Sequence, residues 1–301
     1  MIYAYGVTQQ GTYHVKNNIV CQDSHRIIKC NESMAIAAVA DGLGSEMYSD
    51  TASKIAVDYT TKYCAERITS ETVEDEILKI IKEAFTLAQQ KIEETAEQNG
   101  HELDQYDTTL SLAVLRDSEL FFGHSGDSGI VALNMDGSYE KVTEQQRDEE
   151  NRVFPLYFGE EKWIIRKYEK QVASVFLATD GMLETLFPIY LREEPISIYV
   201  ALARFFMDAK ILNIEADGEE TVQNRISTFI EKIPDAQVND DKTVAVILNT
   251  DNKPALMAED YYKEPDWKEL KRKREEKWKR LAYPSLYNDE QNETEKTSLS
   301  N

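Results

Sequence analysis

The chain has 301 residues, which is long enough for one large domain or two small ones with a sizeable buried core. Its formal net charge of −21 argues against nucleic acid as a partner, because phosphate backbones attract basic surfaces. No apolar run approaches the roughly 20 residues that span a bilayer, and the first residues do not form a secretory signal, so we expect a cytoplasmic protein without a membrane span.

The N-terminal third of the sequence predicts strands followed by helices. β-Branched and aromatic residues bounded by turn residues predict strands at 2–8, 26–30 and 34–40. The pattern becomes helical over 45–68. A second helix is predicted by apolar residues at helical spacing, which would form one buried stripe. They are Ile77, Ile80, Ile81, Ala84, Phe85, Ala88 and Ile92.

Beyond Gly100 the sequence becomes β-rich again. Residues 108–115 and 120–124 flank one short turn, and residues 130–134 and 138–142 flank another. Such close hairpins imply antiparallel pairing, unlike the alternating strand and helix units of a doubly wound sheet. We therefore expect an α+β fold in which helices cover the sheets.

The remaining middle segment is predicted to be a loop followed by two helices. Residues 143–162 are polar, and within them Arg147 and Arg152 are either surface charges or groups that grip a phosphate. Helical patterns follow at 196–212 and 219–233, without an obvious catalytic group.

The composition changes beyond Asn249, which divides the chain into a domain of residues 1–250 and a charged extension of residues 251–301. In the extension, 264–282 is a candidate helix with Lys and Arg on one face and four apolar side chains on the other. These four are Trp267, Leu270, Trp278 and Leu281. The helix either packs its tryptophans on the domain, docks a partner protein or lies on a membrane surface. Residues 288–301 are polar and are expected to be disordered.

Five short acidic motifs carry the strongest functional signal. They are Cys21-Gln22-Asp23, Asp41-Gly42-Leu43-Gly44, Gly126-Asp127-Ser128, Thr179-Asp180-Gly181 and Asp240-Asp241-Lys242-Thr243. Asp41, Asp127 and Asp180 each follow an apolar run, so each would stand where a strand leaves the core. Clustered carboxylates repel one another and resist ionising unless hard cations balance them. The motifs therefore predict a site for Mg²⁺ or Mn²⁺.

In this order, and with Asp107-Thr108-Thr109 between the second and third, the motifs resemble those of the type-2C metal-dependent protein serine/threonine phosphatases. The resemblance covers roughly residues 1–250, and the stretch Gly11-Thr12-Tyr13-His14-Val15-Lys16 before the first motif is similar to a bacterial branch of the family. It implies two packed antiparallel β-sheets with α-helices on both outer faces. It also implies a monomer.

The resemblance implies a role for each acidic position. Asp41 would bridge two metal ions, Gly42 would lend its backbone carbonyl, and Asp180 and Asp240 would hold one of the ions. These three aspartates are thus the expected catalytic residues.

Two more positions are implied with a looser role. Asp23 would bind a metal directly or support a residue that does. Asp127 matches a position that helps to bind a third ion in bacterial members. Asp241 stands where many relatives have asparagine.

The sequence departs from the family in three places. Asn18 occupies a position where an arginine often binds the substrate phosphate, and the nearby His14 and Lys16 are candidates to replace it. Leu43 stands where animal members have a histidine that acts as general acid. Gly129 stands where arginine is common.

The resemblance implies a phosphatase that hydrolyses phosphoserine and phosphothreonine with water activated between two metal ions, without a phosphoenzyme. Phosphoproteins would be its substrates, and a cognate serine/threonine kinase would be a partner. Two alternatives stay open: an inactive pseudophosphatase that serves as a binding module, and a phosphohydrolase of small molecules. For His124, beside the Gly126 motif, a structural role is favoured over a catalytic one.

Overall fold

The computed structural model describes residues 1–44 and 46–284, and within them the chain forms two five-stranded antiparallel sheets. The strands are β1 Ile2–Gln9, β2 Asp23–Lys29, β3 Met34–Asp41, β4 Leu110–Arg116, β5 Glu119–Ser125, β6 Gly129–Asn134, β7 Tyr139–Lys141, β8 Ile164–Lys167, β9 Val172–Ala178 and β10 Lys242–Asn249. The first sheet has the order β1-β10-β9-β6-β7, and the second has the order β2-β3-β4-β5-β8.

Helices cover both outer faces of the paired sheets. They are α1 Thr12–Asn17, α2 Ser49–Arg67, α3 Glu74–Asn99, α4 Asp180–Leu186, α5 Val200–Met207, α6 Ala209–Leu212, α7 Ile214–Glu231 and α8 Trp267–Ala282. Helices α2 and α3 pack on the second sheet, and α4 to α7 pack on the first. The expected α+β sandwich, with helices outside two packed sheets, is confirmed.

Strand β3 explains how the sandwich is held together. It is buried along its whole length except at Asp41, its last residue. Because successive side chains of a strand point to opposite faces, Ala35, Ala37 and Val39 lie between the two sheets, and Ile36 and its alternating neighbours face α2 and α3. A strand with both faces buried carries apolar residues throughout, so the first charged residue stands at the edge of the core.

Most predicted elements are present, with differences at positions where tertiary contacts decide. The helix predicted from Ser45 begins at Ser49, and Ser45 itself lies outside the described residues. The helix predicted over 196–212 begins only at Val200 and is interrupted at Asp208, whose carboxylate accepts hydrogen bonds from the backbone of α6. An aspartate that caps a new helix in this way ends the preceding one.

The segment after β10 stays attached to the first sheet. The Ala255 N–H donates to the Met135 carbonyl at 2.9 Å, and the Tyr139 N–H donates to the Tyr261 hydroxyl at 2.8 Å. These contacts anchor the start of the extension, so α8 is held close to the sandwich. In the described ranges 1–44 and 46–284, no helix combines the length and apolar character that a bilayer crossing needs.

Helix α8 confirms the predicted C-terminal helix, although only the apolar residues of its first turn pack on the domain and its later turns contact it through ion pairs such as that of Lys277 with Glu193. Leu270 is buried, and the Trp267 ring meets Tyr199 edge-on with ring centroids 5.0 Å apart. In contrast, Trp278 is 62% exposed and Leu281 is 73% exposed. The interpretation that both tryptophans pack on the domain is therefore wrong for Trp278. The predicted disorder at 288–301 lies outside the described residues.

Candidate metal centre

Asp23 and Asp41 lie opposite each other at one end of the second sheet. The antiparallel register of β2 and β3 pairs them directly. The Thr109 N–H and the Thr108 hydroxyl both donate to the Asp41 carbonyl, at 2.8 and 3.0 Å, and the Asp41 N–H donates to the Thr109 hydroxyl at 2.9 Å. The Asp107-Thr108-Thr109 motif thus fixes the backbone of Asp41 while its carboxylate stays available.

Asp127 and Asp180 reach the same place from two other strand ends. Asp127 follows β5 through Gly126, whose φ of 108° is one that glycine adopts at little cost. Asp180 follows β9 as the first residue of α4. One carboxylate oxygen from each of Asp41, Asp127 and Asp180 lies within 4.8 Å of the others. Three of the predicted carboxylates therefore converge, as the sequence indicates.

A guanidinium group from the predicted loop lies between two of these carboxylates. The Nη2 atom of Arg147 is 2.5 Å from Asp127 Oδ2 and 3.3 Å from Asp180 Oδ2. Its side chain is 27% exposed, so it borders the cluster. Arg152, from the same loop, is 72% exposed and pairs with Asp148 instead. Of the two arginines that the sequence left open, only Arg147 contacts the predicted metal ligands, and a polar loop without periodicity did not distinguish them.

A second cluster forms where α1 meets the start of β10. It consists of Asp240, Asp241 and His14, and a ligand atom from each lies within 4.8 Å of the others. Asp241 is buried, whereas the Asp240 side chain is 59% exposed. Helix α1 was missed by sequence reasoning, because six residues are too few for a helical period to show.

The carboxylates are short of positive charge. Burial raises the pKa of Asp41 well above its usual range, and the neighbouring aspartates raise it further. Burial likewise raises the pKa of Asp23 well above its usual range, against the hydrogen bond from Thr179. Burial and the charge of Asp127 raise the pKa of Asp180 to about 7. Burial also raises the pKa of Asp127, although Arg147 opposes the shift. Because carboxylates are the donors that hard divalent cations prefer, this set fits Mg²⁺ or Mn²⁺.

The family model for protein phosphatase 2C matches residues 10–229. The chain belongs to the protein phosphatase 2C family. This is a family of metal-dependent protein serine/threonine phosphatases that use Mg²⁺ or Mn²⁺. The matched stretch includes Asp23, Asp41, Asp127 and Asp180 and ends before Asp240, which lies in the second cluster with His14 and Asp241.

Solved structures of bacterial members share the fold. Serine/threonine phosphatase Stp1 from Staphylococcus aureus matches with a TM-score of 0.58 and 13% identity, over 82% of this chain and 95% of that one. The S. agalactiae serine/threonine phosphatase matches with a TM-score of 0.56 and 16% identity, over 82% of this chain and 99% of that one. The catalytic domain of PstP, in complex with two manganese ions, matches with a TM-score of 0.56 and 17% identity, over 82% of this chain and 97% of that one. No protein with a curated description matches this sequence.

The positions that depart from the phosphatase 2C pattern have structural explanations. Asn18 ends α1 with a left-handed φ of 56°, a conformation that asparagine tolerates. A Cβ on Gly129 would lie 2.5 Å from the side chain of Leu183, so the larger side chain common in relatives would not fit. The Leu43 N–H donates to the Asp107 carbonyl at 3.0 Å, which ties the second motif to the Asp107-Thr108-Thr109 segment.

The other predicted positions of this phosphatase 2C chain differ in their surroundings. Lys16 forms an ion pair with Asp235 at 3.2 Å, whereas His14 of the same helix lies beside Asp240. His124 is buried, with its ring nitrogens 2.9 Å from the Ser111 hydroxyl and 3.0 Å from a backbone carbonyl. Burial lowers the pKa of His124 to about 4, which agrees with the structural role favoured from the sequence.

Gly42 lies where the second motif meets the start of α2. A Cβ at this position would come within 2.6 Å of the Ser49 carbonyl oxygen. The close approach of the two backbones thus requires glycine, and it holds the backbone of residue 42 against the start of α2.

Proposed function

We propose that this protein is an active phosphatase that removes phosphate from serine and threonine side chains of protein substrates. The observation that carries the proposal is the convergence of Asp41, Asp127 and Asp180 from three strand ends belonging to both sheets. Their raised pKa values show that the folded chain holds these carboxyl groups away from water, and neighbouring aspartates add repulsion at Asp41 and Asp180. Proteins accept such a cost mainly at functional sites, where a ligand relieves it.

We assign the central position to Asp41. Asp41 pairs with Asp23 in the sheet register, and one of its carboxylate oxygens lies within 4.8 Å of those of Asp127 and Asp180. This is the place from which one carboxylate can contact two cations. Asp180 and Asp240 would hold one of these cations, and the Gly42 carbonyl would contribute to the other. Asp127, buried and paired with Arg147, is the candidate for a third cation.

Divalent cations bound here would supply Lewis acidity, lowering the pKa of a water molecule and neutralising the phosphate charge. The chain's own contribution is to hold the ligands in place. Thr108 and Thr109 hold the backbone of Asp41, and Thr179 holds the carboxylate of Asp23. A water nucleophile leaves no role for a phosphorylated side chain, which agrees with the proposed absence of a phosphoenzyme.

Arg147 is the side chain that we propose to contact the substrate phosphate. The position of the usual arginine is taken by Asn18, which caps a helix end. Arg147 lies beside Asp127 and Asp180 and retains some exposure, and a guanidinium group can donate two parallel hydrogen bonds to a phosphate. Of the two cations suggested from the sequence for this role, Lys16 forms an ion pair with Asp235, and His14 contacts the acidic residues of the centre.

The biological setting is part of the same proposal. Phosphoproteins produced by a cognate serine/threonine kinase would be the substrates, and the phosphatase would act as a monomer. A cytoplasmic location agrees with the three cysteines, which are all free thiols in the structure, because disulfides are rare in reducing compartments.

The deciding experiment is phosphate release from a phosphothreonine peptide with Mn²⁺, with Mg²⁺ and with EDTA. We expect release only with metal, and a loss of about 100-fold or more in the Asp180→Asn variant, because even supporting residues of metal sites contribute 10–100-fold. The matched control is Asp75→Asn, on the exposed first turn of α3, which should keep full activity.

Two results would contradict the proposal. A folded protein that releases no phosphate with either metal would be a binding module with a phosphatase fold. Faster hydrolysis of nucleotides or sugar phosphates than of phosphopeptides would indicate a phosphohydrolase of small molecules.

A further inference from the structure

We propose that His14 supplies a nitrogen ligand to a cation held by Asp240, with Asp241 orienting the imidazole ring. The inference rests on the metal centre of the proposed function, and it adds a donor of a different chemical class to a set of carboxylates. It predicts that this position binds Mn²⁺ in preference to Mg²⁺.

The Asp241 side chain is held in place by backbone hydrogen bonds. Its side chain is 3% exposed, and each of its oxygens accepts a backbone hydrogen bond: Oδ1 from Gly11 and Oδ2 from Gln22, both at 2.6 Å. Each carboxylate oxygen is thus committed to the backbone on either side of α1. A buried carboxylate with these partners is fixed in position.

His14 lies against this carboxylate. Its side chain is 6% exposed, and its Nδ1 atom is 2.9 Å from Asp241 Oδ1. The two atoms are close, but Nδ1 makes no well-aligned hydrogen bond with the described residues. In metal sites, a ligating histidine usually turns its second ring nitrogen toward a carboxylate or a carbonyl, which selects the tautomer and the ring orientation. Asp241 is placed for that role, with the Nδ1 atom carrying the proton.

The other ring nitrogen of His14 lies near the Asp240 carboxylate. His14 Nε2 is 3.7 Å from Asp240 Oδ1, and a cation bonded to both atoms at about 2.1 Å could span this separation. Asp240 is 59% exposed, so its carboxylate is open to a cation from solvent. The pair is therefore complementary: an anchored imidazole beside an accessible carboxylate.

Close backbone contact holds the two segments together. A Cβ on Gly11 would lie 2.3 Å from the carbonyl carbon of Asp240, so only glycine permits this approach. The Tyr13 N–H also donates to the Asn239 carbonyl at 2.9 Å. The start of α1 is thus attached to the strand that carries Asp240, which fixes the position of His14 relative to it.

The chemical consequence concerns metal choice. Mg²⁺ strongly prefers oxygen donors, whereas imidazole suits transition metals, and affinity for nitrogen donors rises from Mn²⁺ along the first-row series. A nitrogen donor at Asp240 should therefore favour Mn²⁺ over Mg²⁺, compared with a site made of oxygen donors alone.

The test is electron spin-echo envelope modulation of the Mn²⁺-loaded, unaltered protein, which detects nitrogen bonded to Mn²⁺. We expect a ¹⁴N signal that disappears in His14→Ala and persists in Lys16→Ala, a variant of the same helix. By titration calorimetry, His14→Ala should weaken Mn²⁺ binding about 10–100-fold at one site and change Mg²⁺ binding much less. His14→Gln provides a second variant that retains side-chain bulk if alanine disturbs α1.

The outcomes separate this inference from the proposed function. Bound Mn²⁺ without a ¹⁴N signal, or a signal that survives in His14→Ala, would overturn the role of His14 while leaving the phosphatase intact. A histidine signal in a protein without phosphatase activity would support the ligand and contradict the function. A protein that binds no Mn²⁺ would contradict both.

Discussion

The hydroxyl of Thr179 donates to Asp23 Oδ2 at 2.7 Å and so joins the two sheets at the metal centre. Thr179 follows β9 of the first sheet, and Asp23 begins β2 of the second. Both side chains are buried, so the bond replaces water that the carboxylate would otherwise need. Thr179, the residue before the proposed ligand Asp180, thus makes one of several hydrogen bonds that join the sheets near this edge, another being that of Thr8 with His25.

Replacing Thr179 with alanine should destabilise the protein and weaken its metal binding. The change removes one of the two threonine donors to the buried Asp23 carboxylate, the other being Thr243, and such a loss typically costs about 1–3 kcal/mol. Thr179→Ser keeps the hydroxyl and is the matched control. Urea unfolding and Mn²⁺ titration of both variants test the expectation, and equal stability of alanine and serine variants would contradict it.

The stability of the metal-free protein should fall as pH rises from about 4 to about 7. Asp180 has a folded pKa of about 7, and those of Asp41 and Asp23 are also raised, so over this range the folded state binds more protons than the unfolded state. Below this window the groups are protonated in both states, and above it the penalty of ionising the buried Asp180 is fully present. Mn²⁺ should restore stability most at the high end.

Thermal unfolding in EDTA across this pH range, with and without Mn²⁺, checks the direction. Asp180→Asn should flatten the decline because it removes one of the titrating groups, whereas the exposed Asp75→Asn should not. A metal-free protein that becomes more stable as pH rises through this window would contradict the assignment.

Strand patterns were readable because burial imposes them. Strand β3 is apolar until Asp41, and the stripe of α3 recurs at helical spacing, so both elements follow from the sequence. The break at Asp208 and the short α1 did not follow, because they depend on side-chain capping and on contact with residues near Asp240. Short elements of this kind are determined by tertiary contacts rather than by local pattern.

The candidate site, like the fold, could be predicted only in part from the sequence. Asp41, Asp127 and Asp180 could be predicted as a group, since each stands at or just after the end of a strand that contains an apolar run. Arg147 and His14 could not be placed, because their partners lie far away in sequence and no periodic pattern links them. Distant pairs of this kind become visible only when the fold brings the loops together.

Gly42 should tolerate no side chain, unlike Gly44 in the same motif. A Cβ at 42 would approach the Ser49 carbonyl oxygen to 2.6 Å, whereas at 44 the nearest atom, on Gln22, is 3.7 Å away. We expect Gly42→Ala to cost about 1–3 kcal/mol of unfolding free energy and to weaken metal binding, and Gly44→Ala to stay within about 0.5 kcal/mol of the parent. Chemical denaturation of the two variants makes the comparison, and similar losses would show that the packing at Ser49 is not decisive.

Arg147 and Arg152 provide a matched pair from one loop. Arg147→Ala removes the cation beside Asp127 and Asp180, so divalent cations should bind more tightly there, without competition from the guanidinium group. If the same group binds the substrate phosphate, KM for a phosphopeptide should rise about 10-fold, since a hydrogen bond to a charged group contributes roughly 1.5 kcal/mol or more. Arg152→Ala, which removes only ion pairs with Asp148 and Glu150 away from the metal ligands, should change neither quantity. Mn²⁺ titration and steady-state kinetics measure the two effects separately. Unchanged metal affinity would contradict competition between Arg147 and divalent cations. Unchanged KM would contradict a contact between Arg147 and the substrate phosphate.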